Sequence, residues 1–275
     1  MRLSSHLLGR EKGEALAFWI VGNREDKVEE VLVKKASEPD MKKAYKLLVK
    51  ADALRLNKMF QESVKHYLSA LMLERNNIQI YIGLAQSYLH LDNIDKAVEI
   101  LEKARKIEPN NGDIPFEIGK CFMRMGLPCV AVVNLKESIL LDKENIEAQL
   151  QLGVAHELME EYELALMVYQ RIIEKHPSFL KAYQHKAALL VELKEHQEAA
   201  SVFVQLIKIN PHYYKAYLGI GICFDKMGKT SRAISYYKKF LDLKPNSKNA
   251  PDVVARLEQI KKGHSISKNN FLKFA

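Results

Sequence analysis

Residues 219–230, GIGICFDKMGKT, contain the residue types of a phosphate-binding loop, because two glycines lie upstream of a terminal Gly-Lys-Thr. Such a loop needs four residues between its first glycine and the Gly-Lys-Thr, so that successive backbone amides surround the phosphates, and it must follow a strand. The required glycine position is occupied by Cys223, Gly221 lies two residues too far upstream, and no strand pattern precedes it. The stretch therefore does not predict a nucleotide site, and we expect no cofactor.

The histidines and cysteines do not form a recognisable catalytic or metal-binding pattern either. No His-Glu-x-x-His motif occurs and none of the nine histidines follows a glutamate by three residues, so the helical zinc and di-iron motifs are absent. His156 and Glu160 are one helical turn apart, as two metal ligands on a helix could be. However, the residues that lie 34 and 68 positions before and after His156 are Leu, Tyr or Phe, which favours a packed helix residue. The three cysteines contain no Cys-x-x-Cys pair. We therefore predict no catalytic residue, no metal site and no enzyme activity.

The composition indicates a folded protein whose charge is unevenly distributed. Hydrophobic residues make up 48% and charged residues 28% of the chain, as in globular proteins. The formal net charge is +8, with +9 in residues 214–275 and −4 in residues 146–179. The odd cysteine count favours a reducing compartment, and no apolar run approaches the roughly 18 residues of a membrane span. The sequence predicts a cytoplasmic location without membrane insertion.

The elements that position these residues follow a period of 34. Pro109, Pro177, Pro211 and Pro245 are 68, 34 and 34 residues apart. When the chain is divided into 34-residue repeats that start at residue 44, and positions are counted from the first residue of each repeat, position 8 is always Ala or Gly and position 11 is bulky. In the second half of the repeat, position 20 holds a small residue and position 24 a bulky one. Because residues three or four apart share a helical face, each repeat predicts two amphipathic helices and a tight turn. Six gapless repeats fit this scheme: 44–77, 78–111, 112–145, 146–179, 180–213 and 214–247.

This pattern resembles the tetratricopeptide repeat family, whose signature is W-x2-L-G-x2-Y, then A-x3-F, then P, on a period of 34. The sixth repeat reads YLGIGICF from Tyr217, AISYY from Ala233, and then Pro245. The repeats cover 204 of 275 residues. The resemblance implies an all-α fold, a right-handed α-solenoid of stacked helix-turn-helix hairpins that binds other proteins.

Both flanks of the repeats fit caps for the apolar ends of such a stack. We interpret residues 1–43 as a divergent N-terminal helical hairpin, because two apolar stretches flank a Gly-Asn turn. Residues 248–262 predict a C-terminal capping helix, since they begin near a proline and are amphipathic. Residues 263–275 show no periodicity and predict a flexible basic tail.

The resemblance implies that repeat positions 5, 9 and 12 face a concave groove. Apolar side chains there would form a stripe that supplies affinity, and Lys120 and Arg124 at its edge would set polarity and register. The family's carboxylate clamp for chaperone tails is absent, because its positions hold Leu, Asp, Gly and Glu. The predicted partner-binding residues are Leu48, Ile82, Leu89, Phe116, Lys120, Met123, Arg124, Leu150, Val154, Leu218 and Ile222.

The resulting hypothesis is a non-catalytic scaffold or adaptor that captures a peptide or amphipathic helix of a partner protein. One alternative is a self-assembling scaffold, in which Phe271–Phe274 of one chain docks in the groove of another. A second alternative is a nucleic-acid-associated adaptor that uses the basic C-terminal end. No alternation of aromatic and basic residues and no RNA repeat code supports it, so the sequence does not favour nucleic acid.

Overall fold

The computed structural model describes residues 37–263, and every regular element in that range is a helix. This confirms the all-α repeat fold. The thirteen helices of this range are α1 Glu38–Leu56, α2 Phe60–Leu73, α3 Ile78–His90, α4 Ile94–Ile107, α5 Asp113–Arg124, α6 Pro128–Leu141, α7 Ile146–Leu158, α8 Tyr162–Lys175, α9 Leu180–Glu192, α10 His196–Ile209, α11 Tyr214–Lys226, α12 Thr230–Leu243 and α13 Ala250–Lys261.

The described residues form two compact units, one up to residue 159 and one from residue 160. Helices α1–α7 belong to the N-terminal unit and helices α8–α13 to the C-terminal unit. Within each unit, every helix packs against the next one along the chain. In the N-terminal unit the first helices of successive repeats (α1, α3, α5 and α7) also contact one another in that order. They therefore present one shared surface.

The turn inside each repeat has a left-handed residue at position 15. Its φ angle is between 59° and 71° at Lys58, Asp92, Glu160, Lys194, Gly126 and Gly228. In the last hairpin the amide of Lys229 donates to the carbonyl of Phe224 (2.8 Å) and that of Gly228 to Asp225 (3.0 Å). These bonds close the helix end, as expected for a left-handed C′ residue. The Gly-Lys-Thr sequence is thus a turn between α11 and α12, with Thr230 as the first residue of α12.

Small residues at position 8 permit close contact between the two helices of a repeat. A Cβ atom added to Gly221 would lie 2.6 Å from the Tyr237 ring, and one added to Gly119 would lie 2.9 Å from Leu135. The alanines Ala51, Ala85 and Ala187 at this position are buried as well. The predicted role of position 8 is therefore confirmed.

Position 4 joins consecutive repeats by a hydrogen bond that the sequence pattern did not reveal. The Tyr217 hydroxyl donates to the Pro211 carbonyl (3.0 Å), and Tyr183 donates to Pro177 (3.1 Å). Tyr81 and Gln149 donate in the same way to the carbonyls of Arg75 (2.7 Å) and Lys143 (2.8 Å), six residues earlier. The bond needs only a backbone acceptor, so Arg or Lys can replace proline in the linker.

The ends of the described region only partly follow the predicted boundaries. Helix α1 begins at Glu38, six residues before the predicted start of the first repeat. The reason is local, because the Ser37 side chain accepts the Asp40 amide and Pro39 lies in the first turn, where proline is well tolerated. Helix α13 lies within the predicted capping segment. The hairpin predicted upstream of residue 37 and the tail after residue 263 lie outside the described residues and stay predictions.

Candidate partner-binding surface

Nine of the eleven predicted residues lie on first helices of the N-terminal unit, and five of the eleven are buried. Ile82, Leu89 and Leu150 are only 8%, 9% and 2% exposed. Ile82 and Leu89 belong to the apolar core of this unit, because α3 packs against both α1 and α5. Those three residues therefore offer a partner little surface, which corrects their place in the apolar stripe expected along the groove.

Leu218 and Ile222 belong to the C-terminal unit and are buried there. Helix α11 packs against α10 and α12, and these contacts cover positions that the resemblance placed in the groove. Leu218 is one of the lining residues of a cleft in the C-terminal unit. Neither residue offers a partner a substantial apolar surface.

Four apolar residues of the predicted set remain partly accessible in the N-terminal unit. Phe116 and Met123 on α5 are half-buried against the core, and Leu48 on α1 and Val154 on α7 are half-buried as well. Because α1, α3, α5 and α7 contact one another in order, these side chains belong to one first-helix surface. We call Leu48, Phe116, Met123 and Val154 the first-helix patch.

A buried carboxylate holds the lysine beside Phe116. Glu117 is buried, and its Oε1 accepts the side-chain amide of Gln86 on α3 at 2.8 Å. Lys120 Nζ donates to both Glu117 carboxylate oxygens at 2.9 and 2.8 Å. The same Nζ lies 5.1 Å from the centre of the Phe116 ring, within range of a cation–π interaction. Lys120 therefore keeps the ring in place and is already paired before any partner arrives.

Arg124 is also paired, and positive charge surrounds the neighbouring histidine. Arg124 donates to Asp92 in the α3–α4 turn at 2.9 Å; the Arg124 side chain is about half exposed and that of Asp92 is largely exposed. His90 stacks on Phe60, with ring centres 4.4 Å apart. Burial, followed by the charges of Arg124, Arg55 and Lys120, lowers the pKa of His90 below its usual value. This edge of the unit therefore carries cations and a readily neutral imidazole.

Sequence reasoning missed Gln86, Glu117 and Asp92, the residues that organise the charges around the first-helix patch. A signal was present for Glu117, since position 6 holds glycine in the second and sixth repeats and a carboxylate in the third. The pairing partners could not be found, because Gln86 and Asp92 are 31 and 32 residues from the groups they bind.

The remaining chemistry-bearing residues are scattered in the fold. Among residues 37–263, no group of three or more His, Cys, Asp or Glu side chains is placed to bind a metal. Burial raises the pKa of Cys121 and of Cys223 to about 12, so neither is a ready nucleophile. No helix in the described range is long and apolar enough to cross a membrane.

Comparison with known proteins decides the family. Models described as Tetratricopeptide repeat match residues 54–114, 147–178, 180–213 and 215–247, which is more than half of the chain. The chain belongs to the tetratricopeptide repeat family. The resemblance inferred from the repeat pattern is thereby confirmed. All the matched residues lie in the region of the six repeats, residues 44–247.

Similar proteins include one from cattle and several repeat proteins of known structure. The BBSome complex member BBS4 of Bos taurus is 27% identical over 113 residues, 41% of this chain but only 22% of the bovine protein. The chain thus matches less than a quarter of that relative's length. The crystal structure of MamA is 28% identical, with a TM-score of 0.54 over 59% of this chain and 95% of MamA.

A second solved structure supports the fold alone. The C-terminal part of a TPR repeat-containing protein from Cytophaga hutchinsonii has a TM-score of 0.66, covering 78% of this chain and 85% of that one. Its sequence is only 20% identical. The hairpin architecture is therefore shared with a protein whose sequence is largely different.

Proposed function

We propose that this tetratricopeptide repeat protein is a non-catalytic scaffold or adaptor that captures a peptide or amphipathic helix of a partner protein. The first-helix patch of the N-terminal unit is the proposed contact surface. The observation that carries the proposal is the accessible Phe116 ring, held by the paired Lys120 on a surface shared by successive first helices. A role in protein assembly also fits the bovine relative, which is named as a member of a complex.

The mechanism follows from the chemistry of the patch. Leu48, Phe116, Met123 and Val154 supply apolar area, which drives association roughly in proportion to the surface removed from water. Lys120 and Arg124 are compensated by Glu117 and Asp92 in the free protein. They would therefore orient a partner more than add affinity. The buried Ile82, Leu89 and Leu150 would support the patch from beneath without touching the partner.

The test is a charged substitution at the centre of the patch. Phe116→Glu should leave the helical content and cooperative unfolding intact, because the ring is only half-buried, but should abolish partner capture. Partners and contacts would be read together by affinity purification with cross-linking mass spectrometry. A folded Phe116→Glu chain that retains the same partners and cross-links would exclude this surface.

A matched control separates the patch from general surface hydrophobicity. Val133 lies on α6, a second helix of the same unit, and is about half exposed. Val133→Glu introduces the same charge at an exposed apolar position and should leave capture unchanged. Equal losses in both variants would show that the partner does not distinguish the first-helix patch from the second helices.

The two alternatives and the cytoplasmic location stay predictions. Self-assembly through the tail would appear as light scattering that depends on residues 263–275. Nucleic-acid association would appear as steeply salt-dependent retention on heparin. Tail docking would use the same groove, so deletion of residues 263–275 separates it from the main proposal, whereas retention on heparin does not require Phe116.

A further inference from the structure

A basic cleft lies in the C-terminal unit, between the start of α11 and the linker that joins α12 to α13. Its volume is about 310 Å³. Three lysines line it together with polar and apolar neighbours, and no acidic residue between 37 and 263 does. The lining residues are Tyr214, Lys215, Leu218, Lys244, Asn246, Ser247, Lys248 and Asn249.

The linker that forms one wall of this basic cleft is unusually long. It spans six residues, 244–249, whereas the other linkers between repeats have four or five. Its shape is fixed by two backbone bonds, from the Ser247 amide to the Lys244 carbonyl (3.2 Å) and from the Ala250 amide to the Ser247 carbonyl (2.9 Å). The wall is therefore built into the fold before a ligand is present.

The three lysines have no internal counter-ion in the part of the chain that the structure describes. Lys215, Lys244 and Lys248 make no ion pair or side-chain hydrogen bond with any residue of 37–263. Asn249 stands at the N-cap of α13 without using its side chain to cap it. Like charges at one cleft repel each other, so an anionic ligand would relieve repulsion as well as form new pairs.

The charge of this cleft belongs to the sixth repeat and is not imposed by the fold. Position 31 carries Glu74, Glu108, Asp142, His176, Asn210 and Lys244 along the six repeats. Position 2 carries Tyr45, Gln79, Asp113, Glu147, Lys181 and Lys215. The third repeat thus has acids at both positions where the sixth has lysines. The same backbone therefore accepts either negatively or positively charged side chains at these two positions.

We propose that this basic cleft binds a carboxylate-rich peptide segment of a partner protein. Lysines pair with carboxylates as mobile point charges, while the half-buried Tyr214 side chain offers apolar contact to the aliphatic part of an acidic side chain. A single-stranded nucleic acid needs a groove that follows its backbone over several nucleotides, and this cleft is bounded by one linker and one helix start. The site belongs to the other compact unit and does not depend on the first-helix patch.

The probe is a fluorescein-labelled hexaglutamate peptide, with hexaglutamine as the neutral probe, followed by fluorescence anisotropy at low salt. The wild-type chain should bind hexaglutamate and not hexaglutamine. The triple variant Lys215→Gln, Lys244→Gln, Lys248→Gln should bind about tenfold or more weakly, since exposed pairs contribute modestly but act together. Phe116→Glu should bind hexaglutamate as the wild type does, which separates this proposal from the proposed function.

A second triple variant removes the same charge outside the cleft. Three exposed lysines that do not line the cleft are Lys238, Lys239 and Lys262. The variant that replaces all three by glutamine should bind hexaglutamate within about twofold of the wild type, because only the general electrostatic attraction is lost. If both triple variants bound hexaglutamate equally weakly, the attraction would come from the overall positive charge of the chain, and the proposed site would be overturned. Tighter, cleft-dependent binding of a single-stranded RNA oligonucleotide, or cleft-dependent self-association in sedimentation velocity, would overturn the proposed ligand.

Discussion

At the scale of the residue, the large side chains at repeat position 24 show how a buried polar atom is satisfied. Tyr67 is fully buried, and its hydroxyl donates to Asp52 at 2.6 Å and accepts from Arg55 at 3.1 Å. Burial and the Asp52 bond raise the pKa of Tyr67 to about 12. Tyr237 is bonded to Asp225 in the same way. The partners occupy different repeat positions, so periodicity could predict the tyrosines but not their aspartates.

The three thiols differ in accessibility, which gives a prediction at this scale. Cys121 and Cys223 are buried with pKa values raised to about 12, whereas Cys129 is half-buried near the start of α6. Because the thiolate is the reactive form, we expect a chromogenic disulfide reagent to react rapidly with one thiol per native chain. Cys129→Ser should remove that phase, and the other two thiols should react only on unfolding. Rapid reaction of a second thiol would contradict the assigned burial.

At the scale of the element, the turn inside each repeat requires a left-handed backbone conformation. In four of the six repeats a residue other than glycine adopts it and is strained. Position 15 has a positive φ angle in all six, yet only the third and sixth repeats have glycine there. A left-handed conformation costs a residue with a Cβ atom about 1–2 kcal/mol, against a smaller entropic cost for glycine. The helices on either side evidently hold the turn in that conformation regardless of the residue.

The turn predicts a stabilising substitution. Lys58, at φ 62° between α1 and α2, is exposed. Lys58→Gly should raise the free energy of unfolding by up to about 1 kcal/mol, and Gly126→Ala should lower it by about as much. Urea unfolding followed by circular dichroism measures both. Lys46→Gly, on the exposed face of α1, is the control and should lower stability by about 1 kcal/mol. A loss of stability in Lys58→Gly would contradict the strain assigned to this position.

At the scale of the whole molecule, a buried ion pair fastens α13 to the last repeat. Arg256 donates to both carboxylate oxygens of Asp225 on α11, at 2.8 and 2.9 Å, and both side chains are largely buried. The same carboxylate accepts the Tyr237 hydroxyl of α12. One carboxylate therefore ties three helices of the C-terminal unit together.

Removing one partner of this pair should destabilise the C-terminal unit. Arg256→Met leaves the Asp225 charge buried with only the tyrosine hydroxyl as a partner, which should cost about 3 kcal/mol or more of unfolding free energy. Adding both Asp225→Leu and Tyr237→Phe should recover much of the loss, because neither a buried charge nor a buried hydroxyl is then left without a partner. Lys261→Met on the same helix is exposed and should change stability by less than about 0.5 kcal/mol. An Arg256→Met chain as stable as the control would contradict this role for the pair.

The sequence by itself determined the repeat, the helix type and the turns. Small residues at position 8, bulky residues at positions 11 and 24, and the 34-residue period predict helical hairpins, because each depends on contacts within one hairpin. Those predictions were confirmed at Gly119 and Gly221, whose missing Cβ atoms leave room for Leu135 and Tyr237. The Gly-Lys-Thr of the sixth repeat could likewise be excluded as a phosphate loop from local sequence, because the glycine spacing is wrong and no strand pattern precedes it.

Only the tertiary structure decided which side chains remain accessible and which charges are already paired. Ile82 and Phe116 share repeat position 5, yet the first is buried in the core and the second is only half-buried. The difference depends on how neighbouring first helices pack, which period and residue type do not specify. The same holds for Glu117 with Gln86, and for the six-residue linker that opens the basic cleft, since burial and pairing depend on residues far apart in the chain.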